Sequence, residues 1–185
     1  MLNVQHLSMT ELEAGMDHIR RSPKDNGMLM MIARRPNVDE REVLDEGELN
    51  TIEGLAGDTW KVRGSGHTPD GSANSNAQIT VMNARTIALL AQEEERWSLA
   101  GDQLYIDMDL SHDNIPPGTR LALGSAIIEV SAEPHTGCKK FSSRFGVEAM
   151  RFVNSPEGKQ LHLRGINAKV IQAGRIRVGD AVRKI

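Results

Sequence analysis

The sequence has 185 residues and only one cysteine, Cys138. One thiol cannot form a disulfide within the chain, and a free thiol is typical of a reducing compartment. Residues 1–21 hold no long apolar run behind a basic segment, so we predict no signal peptide. These absences favour a cytoplasmic protein.

Long apolar runs and excess basic charge are also lacking. The run from Met28 to Ala33 is far shorter than the about 20 residues that span a bilayer. The formal net charge is −3 and the sequence pI is about 6.1. Binding to a nucleic-acid backbone or an anionic membrane favours a basic surface. We therefore expect neither nucleic acid nor membrane as a partner.

What remains is the composition of an ordinary globular protein, with 39% hydrophobic and 25% charged residues. A chain of this length usually forms one unit, so we predict a single domain over residues 1–185. Apolar runs and period-two alternation predict strands near 28–33, 78–82 and 104–110. Glycine turns predict hairpins over 119–131 and 166–178, followed by a last short strand. Many short strands favour a barrel or sandwich with a few helices.

Two helices have recognisable starts. Thr10 and Glu13 have the spacing of a capping box, which predicts a helix over about 11–21. Asn83 is a suitable N-cap for a helix reaching Trp97. Residues 36–50 predict a surface strand or short helix, and the Gly- and Ser-rich residues 64–76 a mobile loop.

Cys138 lies in the run from Pro134 to Phe141, beside Lys139 and Lys140 and three residues after His135. Nearby cations lower the pKa of a thiol and favour the nucleophilic, metal-binding thiolate. A lone cysteine is also common as an inert, buried small hydrophobe. His135 either hydrogen-bonds and activates the thiol or is a surface histidine. The local context leaves both alternatives open.

Three separated segments, taken in order, resemble the MOSC domain, the molybdenum cofactor sulfurase C-terminal domain. The segments are Gly54 to Asp58, the stretch from Pro117 to Gly124 leading into Cys138, and Arg164 to Val170 followed by Gly174 to Asp180. The resemblance extends from about residue 50 to the C-terminus. It implies a mainly β fold, a closed barrel of the pyruvate-kinase barrel type with a few peripheral helices, and a cysteine at a pocket near one end.

The resemblance also implies a link with sulfur transfer and molybdenum. Fused members follow a pyridoxal-phosphate cysteine desulfurase, and other members hold a molybdenum-pterin cofactor through the cysteine and reduce N-hydroxylated small molecules. This chain has no room for a desulfurase domain. Any pyridoxal phosphate would therefore belong to a partner, and the implied partners are a cysteine desulfurase or a molybdoenzyme.

Cys138 is thus the implied catalytic residue and metal ligand. Thiolate sulfur accepts a sulfane sulfur or binds a soft metal, so the sequence leaves cofactor binding and persulfide carriage open. A barrel that has lost its chemistry is a third hypothesis. It rests on two departures from the family pattern, Thr59-Trp60 after Asp58 and Asp102-Gln103 in place of Glu-Asn.

A pterin cofactor carries a phosphate, which needs backbone N–H groups or Arg and Lys donors. The candidate cofactor-binding residues are Asp58, Lys61, Arg63, Arg144 and Arg164. Each basic side chain has the alternative of being a solvated surface charge, and Asp58 that of forming a turn. The histidines are scattered without the spacing of a zinc site.

Overall fold

The structure is a computed structural model and describes residues 5–185. Its strands are β1 (Gly27–Arg34), β2 (Glu42–Leu44), β3 (Glu46–Asn50), β4 (Gly54–Leu55), β5 (Ile79–Asn83), β6 (Leu104–Asp107), β7 (Arg120–Leu123), β8 (Ala126–Val130), β9 (Ile166–Gln172), β10 (Gly174–Arg177) and β11 (Ala181–Lys184). Its α-helices are α1 (Met9–Ala14), α2 (Met16–Arg20), α3 (Trp60–Arg63), α4 (Ala84–Ala91), α5 (Lys139–Phe145), α6 (Val147–Asn154) and α7 (Pro156–Gln160). Short 3-10 helices cover Ser75–Ala77 and Glu94–Ala100.

Seven strands close into a barrel in the order β1, β6, β5, β9, β8, β7, β11 and back to β1. The β5–β6 pair is parallel and the other pairs are antiparallel. A parallel pair needs a crossover connection, which α4 and the following 3-10 helix supply. The predicted closed, mainly β barrel with a few helices is confirmed.

A three-stranded sheet, β10-β3-β4, lies beside the barrel. The predicted hairpin over 166–178 is wrong, because β9 pairs with β5 and β8 whereas β10 pairs with β3. Gly174 explains the divergence. A Cβ on this residue would lie 2.3 Å from the carbonyl carbon of Ser125, so the chain turns tightly over the β7–β8 connection and leaves the barrel.

The barrel interior is filled by alternate residues of its strands. In β8, for example, Ala126, Ile128 and Val130 are buried while the two residues between them are partly exposed. Side chains of a strand point alternately to its two faces, so this pattern places one face in the interior. The β7–β8 hairpin that the sequence predicts is confirmed with its turn at Gly124 and Ser125.

A second apolar cluster packs α1, α4, α5 and α6 against the outside of the barrel. The predicted first helix begins earlier than expected, because the capping box is formed by Ser8 and Glu11, and Gly15 separates α1 from α2. Asn83 caps α4 as predicted, through a hydrogen bond from Thr86 N–H to its side chain. This helix ends at Ala91, since Gln92 adopts a left-handed conformation with φ of 64°.

Helices α5, α6 and α7 fill the connection between β8 and β9, where the sequence predicted no helix. They lie beside the barrel end that carries Cys138. Within residues 5–185, no helix is both long enough and apolar enough to cross a bilayer.

Candidate functional site

Cys138 lies immediately before α5, at the end of the irregular segment that leaves β8, and its side chain is exposed. Hydrogen bonds hold this segment at both ends. Asn167 of β9 donates from Nδ2 to the carbonyls of Glu133 and Pro134, at 3.1 and 3.2 Å. The Asn154 side chain accepts from Gly137 N–H at 2.9 Å and donates to its carbonyl at 3.1 Å. The backbone around the thiol is therefore fixed by β9 and α6.

The thiol opens into a cleft of about 330 Å³. Six basic side chains and one acidic side chain, Glu133, are among its lining residues; the basic ones are Arg35, Arg41, Arg63, Lys140, Arg144 and Arg164. The chain as a whole carries a net charge of −3. The cleft thus concentrates positive charge on an otherwise acidic protein, and such a cleft attracts anions.

Arg35 is held rigidly against the cleft by Asp58. Its Nε and Nη2 donate to the two carboxylate oxygens at 2.9 and 2.8 Å, and the N–H groups of Arg35 and Trp60 each donate to the same carboxylate at 2.8 Å. Burial alone would raise the pKa of Asp58, but the Arg35 guanidinium and these donors hold it below its usual value. Asp58 therefore contributes to the cleft by fixing Arg35.

Arg164 forms a second buried pair, with Asp102, and this pair is incompletely bonded. Nη1 of Arg164 donates to Oδ2 of Asp102 at 2.6 Å, and Nη2 donates to the Ala100 carbonyl at 3.0 Å. The other carboxylate oxygen, Oδ1, has no hydrogen bond and lies 3.6 Å from Nδ1 of His135. Burial raises the pKa of Asp102, against the opposing effect of Arg164.

His135 is largely buried, with 14% of its side chain exposed, so its interpretation as a surface histidine is wrong. Its Nδ1 and the Nε of Arg164 are buried without a hydrogen-bond partner. Burial and the nearby arginines lower the pKa of His135 well below its usual value, so the ring is neutral at neutral pH. Gly165 permits this packing, because its φ is 113° and a Cβ there would lie 2.3 Å from the Val81 carbonyl oxygen.

The other arginines keep part of their donor capacity. Nε of Arg41 is buried without a partner, and burial together with the neighbouring arginines lowers the pKa of Arg41. Burial likewise lowers the pKa of Arg63, whose charged neighbours include Arg35 and Arg41. Arg144 donates from Nη1 to the Leu99 carbonyl at 2.7 Å. The cleft therefore combines fixed and available guanidinium groups.

The structure brings four of the predicted site residues to this cleft: Cys138, Arg63, Arg144 and Arg164. Asp58 lies behind Arg35, and Lys61 is exposed on α3, outside the cleft's lining residues. Sequence reasoning missed Arg35 and Arg41, which precede the segments that resemble the family. The sequence feature that could have identified Arg35 as a site residue is its position directly after a buried strand and before Pro36.

The barrel has solved structural relatives. The YuaD protein from Bacillus subtilis aligns with a TM-score of 0.58 and 15% identity over 85% of this chain and 94% of that one. YiiM from Escherichia coli aligns with a TM-score of 0.55 and 17% identity over 85% of this chain and 69% of that one. A structure described as a hypothetical protein aligns with a TM-score of 0.57 and 21% identity over 86% and 68%. At these identities the likeness concerns the fold alone.

No curated protein matches the chain significantly. The MOSC domain matches residues 55–183, more than half of the sequence, and includes Cys138 and the pair formed by Asp102 and Arg164. Arg35 and Arg41 lie outside the matched range but complete the same cleft. The chain belongs to the MOSC domain family.

Proposed function

We propose that this protein binds a molybdenum-pterin cofactor, with Cys138 as the metal ligand. The observation that carries the proposal is the exposed thiol of Cys138 in a cleft lined by arginines. Thiolate is a ligand suited to a soft metal centre, and guanidinium groups bind phosphate through paired N–H donors.

The residues of the cleft fit such a group. Among residues 5–185, no three His, Cys, Asp or Glu side chains come together to hold a metal ion. The chain thus offers a single cysteine sulfur and leaves the remaining ligands to the pterin. Nε atoms of Arg41 and Arg164, buried without partners, are donors that an anionic cofactor would satisfy.

Each residue has a distinct part in this proposal. Cys138 holds the metal, and Arg63, Arg144 and Arg164 are the candidate phosphate donors, whereas Lys61 is exposed outside the lining of the cleft. Asp58 fixes Arg35 and so keeps its positive charge at the cleft. When bound, the cofactor supplies two-electron redox chemistry.

The proposed reaction is reduction of an N-hydroxylated compound. The substrate takes up two electrons and two protons, its N–O bond breaks, and an amine or amidine and water leave. The electrons come from a separate redox protein. The chain itself contributes binding, orientation and a positive field.

Metal analysis tests this proposal. The protein is purified from cells with an intact pterin pathway, and molybdenum and released pterin are quantified for the parent and for Cys138→Ser, Arg63→Ala and Arg183→Ala. We expect molybdenum in the parent, its loss in Cys138→Ser and lower occupancy in Arg63→Ala. Arg183 is an exposed cation on β11, outside the cleft, so its variant should match the parent. A parent without molybdenum that is indistinguishable from Cys138→Ser would refute the proposal.

A second function, persulfide carriage, is supported by the exposure of Cys138. A carrier must present its sulfur to a donor and an acceptor in turn, and the positive cleft would stabilise a persulfide anion. The donor would be a separate cysteine desulfurase, which would hold the pyridoxal phosphate. Mass spectrometry after incubation with a desulfurase and cysteine should show one added sulfur atom on Cys138 and none on Cys138→Ser. Absence of that sulfur argues against carriage.

A barrel without chemistry is the proposal that remains if both experiments are negative. A single domain and a cytoplasmic location remain predictions.

A further inference from the structure

A second cavity, of about 490 Å³, adjoins the cleft of Cys138. The two share part of their lining, namely Glu133, Pro134, His135, Arg164 and Asn167. The segment from Glu133 to His135 thus forms a wall between them. This volume is within the range of small-molecule pockets, which span roughly 300–1,000 Å³.

The second cavity is lined largely by apolar groups and has little net charge. Pro117, Pro134, Val153 and Ile166 are among its lining residues. The positive charge of Arg164 is matched by Asp102 behind it. The other charged lining residues, Glu133 and Lys159, have opposite signs, and Lys159 is exposed. Its walls therefore favour an uncharged, largely apolar ligand, since an unpaired buried charge is costly.

Imidazole rings supply the polar part of the lining. Nδ1 of His162 lies 2.7 Å from the Leu110 carbonyl, an acceptor, so Nδ1 carries the proton and Nε2 is an acceptor. His112 lies edge-on to this ring, with centroids 6.0 Å apart. Burial lowers the pKa of His162, as it does that of His135, so both rings are neutral at neutral pH.

The shared wall carries unused hydrogen-bonding capacity. Nδ1 of His135 and Nε of Arg164 are both buried without a partner. Native proteins leave few buried polar atoms unsatisfied, and those that remain often mark a functional site. A ligand beside this wall adjoins both the apolar surfaces and the cleft of Cys138.

We infer that the second cavity binds an uncharged, largely apolar compound with a hydrogen-bonding head group, and that it holds the organic body of the substrate next to the Cys138 cleft. The binding site stands on the cavity alone, whereas its role as substrate chamber rests on the proposed reductase function. The apolar lining residues suit an uncharged organic body. An amide-like head group matches the neutral imidazole acceptors.

Binding to the metal-free protein tests the site without the cofactor. The probes are benzamide and its charged isosteres benzoate and benzamidinium, measured by calorimetry at neutral pH. We expect benzamide to bind with a dissociation constant of about 1 mM, the scale expected for so small a ligand. Each other probe should bind at least about tenfold more weakly, a factor equal to about 1.4 kcal/mol. Equal binding of a charged isostere would overturn the inference.

Cavity-filling variants locate the site. Ala132 and Thr136 are exposed lining residues, so Ala132→Trp and Thr136→Trp can block the cavity without disturbing the core. Ala173→Trp, on an exposed connection outside both linings, is the matched control. We expect benzamide binding to be lost in both blocked variants and kept in the control. Binding that survives both blocks contradicts the assignment.

Steady-state kinetics of molybdenum-loaded protein separate the two proposals. With an uncharged N-hydroxylated substrate, Ala132→Trp should raise KM at least about fivefold while molybdenum content stays unchanged, because a blocked chamber weakens binding of the substrate body. Reduction with an unchanged KM would refute the substrate chamber and leave the reductase standing. Probe binding without any reduction would refute the reductase and the chamber role, and leave the binding site standing.

Discussion

Two buried arginine–aspartate pairs lie at the same cleft, yet they are bonded very differently. Arg35 and Asp58 share two side-chain hydrogen bonds, and two backbone N–H groups complete the carboxylate. Arg164 and Asp102 share one hydrogen bond, and each keeps a buried polar atom without a partner. Burial penalises the charge of both carboxylates, but the pKa falls for Asp58 and rises for Asp102.

The Arg35–Asp58 pair therefore acts as a structural clamp, whereas the Arg164–Asp102 pair retains hydrogen-bonding atoms that a ligand could use. A fully bonded pair compensates the cost of burying its charges, whereas an incompletely bonded pair leaves part of that cost unmet. The unpartnered atoms of the second pair, Oδ1 of Asp102 and Nε of Arg164, lie near His135, in the wall between the cleft and the second cavity. We expect ligand binding to act on this second pair and to leave the first unchanged.

The largest effect is expected from Asp58→Asn. This change leaves the Arg35 guanidinium buried without its counter-charge, and breaking a buried pair in this way costs about 3–5 kcal/mol. Urea unfolding at neutral pH, followed by circular dichroism, measures the loss. The matched control is Asp39→Asn, which removes an exposed partner of Lys140 and should change stability little. Equal stability of the two variants would contradict the clamp.

A smaller loss, about 1–3 kcal/mol, is expected from Asp102→Asn in the same unfolding experiment. The variant keeps one acceptor for Arg164, and the parent carboxylate makes only one hydrogen bond with that arginine. If this substitution costs as much as Asp58→Asn, the two pairs are energetically equivalent and the comparison fails.

The pH dependence of these two losses should have opposite signs. The lowered pKa of Asp58 gives stability that is present above its unfolded value of about 4 and is lost as the pH falls through its folded value. The raised pKa of Asp102 gives stability that is present below about 4 and is lost as the pH rises through its folded value.

The cost of Asp58→Asn should therefore shrink between about pH 6 and pH 3, while the cost of Asp102→Asn should grow. Unfolding of parent and variants across this range measures both slopes. Arg164 and His135 face Asp102, so Asp102→Asn is also measured in a His135→Gln background to separate their titrations. Slopes of the same sign would show that the two carboxylates do not differ as described.

The smallest effect on stability is expected at the thiol itself. Cys138 is exposed, so Cys138→Ser should change Tm by less than about 2 °C in a thermal scan. The native parent should react with a thiol reagent without prior unfolding. Slow labelling or a large drop in Tm would mean that the side chain is part of the core.

The barrel was predictable where the sequence pattern is local. The alternation in β7 and β8, with Gly124 between them, is enough to predict their pairing. The partner of β10 was not predictable, because it depends on a contact between Gly174 and the distant Ser125. Helices α5 to α7 were missed because Gly146 and Pro156 divide them into segments of at most eight residues.

The site was predictable in part for the same reason. The ordered family segments led to Cys138, which follows the second segment, and to Arg164, which begins the third. Arg35 and Arg41 lie about a hundred residues before the thiol, and only closure of the barrel brings them to it. The burial of His135 depends on the clamping of its segment by Asn167, which is a tertiary contact.

The pairing of β1 with β11 delays closure of the barrel until late in the synthesis of this region. β1 is an early strand and β11 the last described one, and they pair at Gly27 with Val182 and at Met28 with Ala181. A chain emerging from the ribosome cannot make this pair until residue 182 has been exposed. Until then the apolar interior side of β1 lacks one of its neighbours. We expect nascent chains of this protein to depend on chaperones, or on the helical layer outside the barrel, until β11 has been synthesised.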